Sequence, residues 1–406
     1  MNILILSDRY HPTPVSGAIL IKDLADELTD QKHCVTVVCG DHTITDHNIS
    51  REDSVNVLRV KVANQKALNK ANRLIFELSL QYKMWKVYKN ELKKAQFDIV
   101  IAHSPTIFWS FIISRINNIK KIPTYLILRD LFPQWTLDSG ELSRLNPVYW
   151  VLRYFELRLY KNSDLIGLQS ERDIKYISNL KDRLNFETEV LFNWQKKPQQ
   201  QPMKSNIRKD LDLLDKVIFI FGGNIGIAQN IKGLMRVIDE FEKNQNIHFL
   251  FIGAGTEYET LNKWLTENSK KNVTLMPAVT NDEYQAILVE CDVGIVSLRK
   301  DIVTNNYPNK MLNYMRYKLP ILATLNIDIE LHDFINKHEI GLVSDNGDDK
   351  SLIKNINFLA KNKEEREKMG LNGFFLLEKE FNSKSAVKKI LKFYEDEVKK
   401  YPNLPN

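Results

Sequence analysis

The chain has 406 residues, 43% of them hydrophobic and 27% charged, with a net charge of +6. That length suits two or three domains with sizeable cores, and the composition is ordinary for a soluble globular protein. No run approaches the roughly 18 apolar residues of a membrane span, and Cys34, Cys39 and Cys291 form neither a metal-ligand spacing nor a disulfide framework.

The first segment, MNILILSDRY, lacks a basic flank and a small-residue cleavage site, so it reads as a first strand of a cytoplasmic enzyme rather than a signal peptide. It leads into the helical stretch GAILIKDLADELTDQK, followed by the apolar runs CVTVVC and VNVLRVKV. Between Lys61 and Lys94 nine Lys/Arg face two Glu, interleaved with Phe76, Tyr82, Trp85 and Tyr88. This stretch has helical apolar spacing. It is either a domain helix with a solvated lysine face or a basic amphipathic helix that meets an anionic membrane surface. Nucleic acid is not an expected partner, because the basic patch is confined to one helix and no recognition motif accompanies it.

The runs FDIVIAHS, TYLILRD and DLIGLQS follow, separated by helical segments. The polar stretch QKKPQQQPMKSN at 195–206 suits a linker, and the rhythm restarts with KVIFIFGG, IHFLFIGAG, VTLMPAV, DVGIVSL, PILATL and GLVSDN. Apolar strands that do not alternate with polar residues imply sheets covered on both faces. The expected fold is therefore α/β, with two doubly wound, Rossmann-like parallel sheets facing a central cleft. Their expected extents are 1–195 and 207–382, joined by a linker at 196–206. The last amphipathic helix, within 383–406, is a candidate to pack back on the first domain.

Several strand ends carry chemistry. FGGNIGIAQNIKG, at 221–233, places Gly223, Asn224 and Gly226 between a buried strand and a helix bearing Lys232. Such a turn either presents backbone N–H groups to an anion or is an ordinary tight connection. Ser16 and Gly17 open the first long helix, where Ser16 is alternatively its cap. His103 ends one buried run, and Arg129 with Asp130 ends the next. Adjacent charges at a buried strand's end require either each other or a ligand.

The ordered set FDIVIAHSP, SDLIGLQSE, EVLFNW, FGGNIGIAQNIKGL, FIGAGTEYETL, NDEYQAILVECDVGIVSL and NKMLNYMRYKLPILAT, together with the opening strand–loop–helix, resembles the glycosyltransferases of family 4, the two-Rossmann-domain (GT-B) type. LRDLFPQW and GNIGIAQN resemble bacterial transferases of O-antigen and capsule sugars, including fucosamine transferases. The resemblance implies transfer of a sugar from a nucleotide-diphosphate donor, UDP-linked, to a lipid-diphosphate-linked saccharide, with retention at the anomeric carbon. It implies no cofactor and no metal, and a place on the inner face of the cytoplasmic membrane. The first domain would hold the acceptor and the second the donor.

On this resemblance, His103, Asp130 and Lys310 are the catalytic candidates and Arg129 the acceptor contact. Ser16, Gly17, Gly223, Asn224, Gly226, Lys232, Gly253 and Gly255 would line the donor, together with Asn306, Tyr307, Asn309, Met311 and Asn313. The GAG at 253–255 is otherwise a plain strand–helix turn. Many members carry two glutamates eight positions apart before the helix ending in Gly-x-Pro; here those positions fall on Asn305 and Asn313, so no acidic role transfers. A nucleotide-aminosugar epimerase and a non-catalytic nucleotide-sugar binder remain as alternatives.

Overall fold

A computed structural model describes residues 1–13, 15–63, 70–104, 106–138, 140, 142–197, 205–301 and 307–400. Within them the chain forms two compact units, Met1–Lys196 with Asn382–Asn406, and Lys197–Phe381. Most of the 195–206 stretch, at 198–204, lies outside the described residues.

The first unit opens with β1 (Asn2–Leu6), α1 (Ser16–Asp30), β2 (Cys34–Asp41), β3 (Asn48–Glu52), β4 (Val55–Lys61) and α2 (Lys70–Lys94). It continues through β5 (Ile99–His103), α3 (Ser110–Asn117), β6 (Thr124–Leu128), α4 (Gln134–Asp138), α5 (Pro147–Lys161), β7 (Leu165–Leu168), α6 (Glu171–Leu184) and β8 (Glu187–Val190). The sheet order is β3-β4-β2-β1-β5-β6-β7-β8, parallel except for β3, which pairs antiparallel with β4. The apolar runs become strands because helices cover both faces. Ile3 and Ile5 pack with Leu20, Ile21 and Leu24 of α1, whereas Leu4 and Leu6 join the core that includes Met84, Ile112 and Leu159. Local signals set the helix starts. Asn146 accepts the Val148 N–H with Pro147 at the first helical position of α5, and Ser170 accepts the Asp173 N–H to cap α6.

The second unit contains α7 (Ile207–Asp210), β9 (Val217–Asn224), α8 (Ile231–Asp239), β10 (Ile247–Ala254), α9 (Tyr258–Glu267), β11 (Val273–Met276), α10 (Asn281–Val289) and β12 (Val293–Ser297). It is completed by α11 (Asn309–Arg316), β13 (Ile321–Leu325), α12 (Glu330–Lys337), β14 (Gly341–Asp345), α13 (Asp349–Lys361) and α14 (Lys363–Glu380). Its sheet is wholly parallel, in the order β11-β10-β9-β12-β13-β14. Thr280 and Glu283 form a reciprocal capping box that starts α10.

The final helix, α15 (Ser383–Lys400), belongs to the first unit. Ala386, Val387, Ile390 and Phe393 enter the α1-side core, and Phe393 meets Tyr125 edge to face at 5.6 Å. Ser383 Oγ donates to Glu27 Oε2 (3.1 Å), and Lys389 Nζ donates to the Val190 carbonyl (2.6 Å).

The basic segment is α2, with 64–69 outside the described residues. Phe76, Leu80, Met84, Tyr88 and Leu92, four apart, are buried. The expected aromatic membrane contacts are corrected in part, since Phe76 and Tyr88 belong to the core; Tyr88 OH donates to the Asn48 and Arg59 carbonyls. Lys83, Lys86, Lys89, Lys93 and Lys94 are exposed, beside exposed Tyr82. Among the described residues no helix is long and apolar enough to cross a membrane.

Candidate functional site

In a doubly wound sheet, ligands bind at the strands' carboxyl ends where the strand order reverses. In the first unit that point lies between β1 and β5. β5 ends on His103, a residue only 2% exposed. Its Nδ1 lies 3.4 Å from Ser7 Oγ, and its backbone carbonyl accepts the Trp109 indole N–H (2.8 Å). The start of α1 also approaches the ring. A Cβ on Gly17 would stand 3.2 Å from His103 Cε1, so the structure brings these two residues together. Burial, assisted by the Arg129 cation, pushes the His103 pKa down to about 3, so the ring is neutral. Among the described residues its Nε2 has no hydrogen-bond partner.

The next strand ends are tied to the same place. The Arg129 N–H donates to Ser104 Oγ (2.7 Å), and the Arg129 carbonyl accepts from Gln169 Nε2 (2.5 Å). Burial lowers the Arg129 pKa to about 10 against the opposing pull of Asp130. Burial raises that of Asp130, with Arg129 opposing. Arg129 Nη1 and Gln169 Oε1 are buried without partners among the described residues. Among the described residues, three adjacent strands therefore end on buried polar atoms without a protein partner, which a ligand or water can satisfy. Gln169 escaped the sequence reading; its signal was the same strand-end position that singled out His103. Ser16 is exposed at the start of α1, but it does not cap the helix: the cap position is Val15, with no side-chain bond. That alternative is corrected.

In the second unit the order reverses between β9 and β12. Tyr314 pins the two strands by accepting the Gly222 N–H (3.1 Å) and donating to the Ile295 carbonyl (3.3 Å). Gly223 takes φ +99°, open to glycine and strained for other residues, and a Cβ there would meet open space. Asn224 is exposed, and its side chain folds within 2.8 Å of where a Gly226 Cβ would lie. The helix does not follow directly, as the sequence suggested. A 3-10 turn at Ile227–Gln229 and Asn230 in the left-handed conformation intervene before α8. Lys232 sits exposed on α8, with no ion pair among the described residues.

The other lysine is placed differently. Lys310 is the second residue of α11, and its Nζ lies 3.6 Å from the centre of the Phe221 ring and donates to Gln229 Oε1 (3.0 Å). Both contacts are neutral, and among the described residues no carboxylate pairs with the amine. Burial lowers its pKa to about 7. The structure thus joins Lys310, Gln229 and the glycine turn at the end of β9, while Lys232 remains apart.

The GAG glycines have a packing reason. A Cβ on Gly253 would stand 1.8 Å from the Gly223 carbonyl oxygen, and one on Gly255 2.3 Å from the Ile225 oxygen. They let β10 brace the glycine turn. Tyr307 and Met311 are corrected as side-chain donor contacts. Tyr307 is buried against Phe334 and Phe381, donating to Glu330 Oε1 (3.2 Å), and Met311 is in the core. Asn309 opens α11, and Asn313, half-buried, already has a partner. Asn306 lies outside the described residues. A desolvated amine, a helix N-terminus and an open glycine turn together suit a phosphate-type anion.

Residues 17–181 match the Glycosyltransferase Family 4 model, and residues 203–374 match Glycosyl transferases group 1. A probable glycosyltransferase, WbjE of Pseudomonas aeruginosa, is 25% identical over 224 residues, covering 53% of this chain. The match spans 54% of WbjE, about half the length of that relative. Among solved structures, sucrose-phosphate synthase from Thermosynechococcus elongatus superposes with a TM-score of 0.74 at 14% identity, covering 98% of this chain and 99% of that one. WaaG, a glycosyltransferase involved in lipopolysaccharide biosynthesis, gives 0.63 at 13%, covering 97% and 99%. Anabaena HepE in complex with UDP gives 0.66 at 13%, covering 98% and 100%. The chain carries a Glycosyltransferase Family 4 domain followed by a group 1 glycosyl transferase domain, and it has the two-Rossmann-domain, GT-B fold.

Proposed function

We propose that the protein transfers a sugar from a UDP-linked donor to a saccharide carried on a lipid diphosphate, in the assembly of bacterial O-antigen or capsule. The sugar in this reading is an N-acetylated deoxy-aminosugar. The observation that carries the proposal is Lys310, an amine held at the end of β9 without a counter-anion, which a diphosphate would supply. The relative WbjE, WaaG with its part in lipopolysaccharide biosynthesis, and the UDP complex of HepE support the same direction.

In the reaction, the bond between the anomeric carbon and the diphosphate oxygen breaks as the acceptor hydroxyl oxygen bonds to that carbon. The hydroxyl proton passes to the departing phosphate oxygen, with retention and without a metal. Lys310 neutralises the charge that grows on the leaving diphosphate, an interaction stronger in the transition state than in the ground state. His103, neutral, offers Nε2 to a sugar hydroxyl, while Arg129 and Asp130 orient the acceptor. The protein works at the inner face of the cytoplasmic membrane, drawn by the exposed lysines of α2.

The test is a screen of UDP-linked N-acetylaminosugars against a lipid-diphosphate saccharide, with mass detection. The expected product is the acceptor plus one sugar residue, with UDP released. Donor interconversion without acceptor would identify an epimerase instead, and UDP binding without turnover across the acceptors would identify a non-catalytic binder.

A further inference from the structure

The start of α5 and the residue two before it turn an unusual set of side chains outward. Leu145 is 93% exposed, Trp150 59% and Tyr154 55%, with Val148 and Val151 also exposed. Residues 151, 154, 158 and 161 follow one helical face, so the apolar part runs on into Arg158 and Lys161. Isolated exposed apolar residues are ordinary; a contiguous stripe with aromatics and a cationic end is a docking surface.

Two details say what it docks on. The Trp150 indole N–H already donates to the Arg144 carbonyl (2.8 Å), so the ring can leave water without stranding a donor. Beyond Tyr154, a groove of about 490 Å³ opens between α3, α5 and α6. Leu157 and Leu184 line it with Arg158 and Lys161. Arg158 Nη1 donates to Tyr154 OH (3.0 Å), and among the described residues neither cation meets a carboxylate. The only carboxylate of α5, Glu156, is turned inward to Arg153 and Tyr160.

We infer that this face seats on an anionic lipid bilayer, with Leu145, Val148, Trp150, Val151 and Tyr154 entering the interface and the Arg158–Lys161 groove taking an anionic lipid headgroup. A second copy of the chain is disfavoured as the occupant because the outward charges of the stripe, Arg144, Arg158 and Lys161, are all positive. An anionic surface complements them. α3 packs against both α2 and α5, so the lysine stripe of α2 lies in the same helical layer and adds attraction from a distance. The inference builds on the membrane location proposed above, but vesicle binding is read without any transfer assay, so either can fail alone.

The experiment is co-sedimentation with phosphatidylglycerol-containing and phosphatidylcholine vesicles at low and high salt, with melting temperatures as the fold control. Trp150→Ser with Val151→Ser should lower binding to anionic vesicles about tenfold or more at both salts; Val151→Ser alone, which keeps the indole bond, should lower it less. Arg158→Ala with Lys161→Ala should cost about fivefold per cation at low salt and little at high salt. Lys86→Ala with Lys89→Ala should weaken only the salt-sensitive part. Binding of both α5 double variants equal to wild type would overturn the inference. So would wild type that ignores anionic vesicles, or self-association that is lost with Trp150→Ser.

Discussion

At the end of β5 the first unit sets a neutral imidazole and a neutral amide beside the buried Arg129 guanidinium and Asp130, whereas at the end of β9 the second unit buries a lysine amine with only neutral contacts. His103 Nε2 and Gln169 Oε1 carry no charge, and burial, assisted by the Arg129 cation, keeps His103 from gaining one. Lys310 rests on a ring face and an amide, with its charge made costly by burial. The difference matches what each half of a transfer reaction needs. Unpaired neutral groups discriminate hydroxyl arrangements, because a wrong sugar leaves them unsatisfied. A desolvated cation discriminates charge, and its contribution grows as a leaving group becomes more anionic.

The largest test of that contrast is Lys310→Ala, expected to cost on the order of 10²-fold or more in turnover. Unchanged kinetics would remove the charge-neutralising role. His103→Gln, which keeps much of the side-chain volume, should lower transfer about tenfold, the scale of one hydrogen bond, with a melting temperature close to wild type. Lost stability with normal activity per folded molecule would make His103 a packing residue. The finest test is protonic. In the free protein the Lys310 amine is largely neutral at about pH 8, and a bound diphosphate favours its charged form and raises its pKa. UDP binding at that pH should therefore take up close to one proton, seen as a buffer-dependent binding enthalpy. Lys310→Gln should show none, and uptake equal in both proteins would place the titrating group elsewhere.

Much of the fold was legible because nearly every interior strand is an unbroken apolar run. β3, NISRE, was not, since an edge strand pairs through backbone and needs no apolar pattern. At the site, strand ends marked His103, Arg129 and Asp130 because charge or imidazole at a buried terminus is conspicuous. Gln169 has the same position without a charge, and only its hydrogen bond to the Arg129 carbonyl shows which end of its amide is free. Glycines are harder still. Gly223 and Gly253 read alike in sequence, yet one has an open flank and the other is fixed by a carbonyl 1.8 Å from where its Cβ would be. For Tyr307 the missing information was the direction its side chain takes just before α11, which depends on Phe334 and Phe381 far along the chain. In α2 the fourfold spacing of Phe76, Leu80, Met84, Tyr88 and Leu92 was readable as the buried stripe of a domain helix, with the lysines on its solvated face.

The return of α15 to the first unit has a consequence for how the molecule is made. Residues 197–381 form one continuous unit, whereas the first unit needs Ala386, Val387, Ile390 and Phe393 to finish its core. During synthesis the second unit is whole before the first can close. The face of α1 and Tyr125 that α15 covers then stays exposed to solvent while more than half the chain emerges.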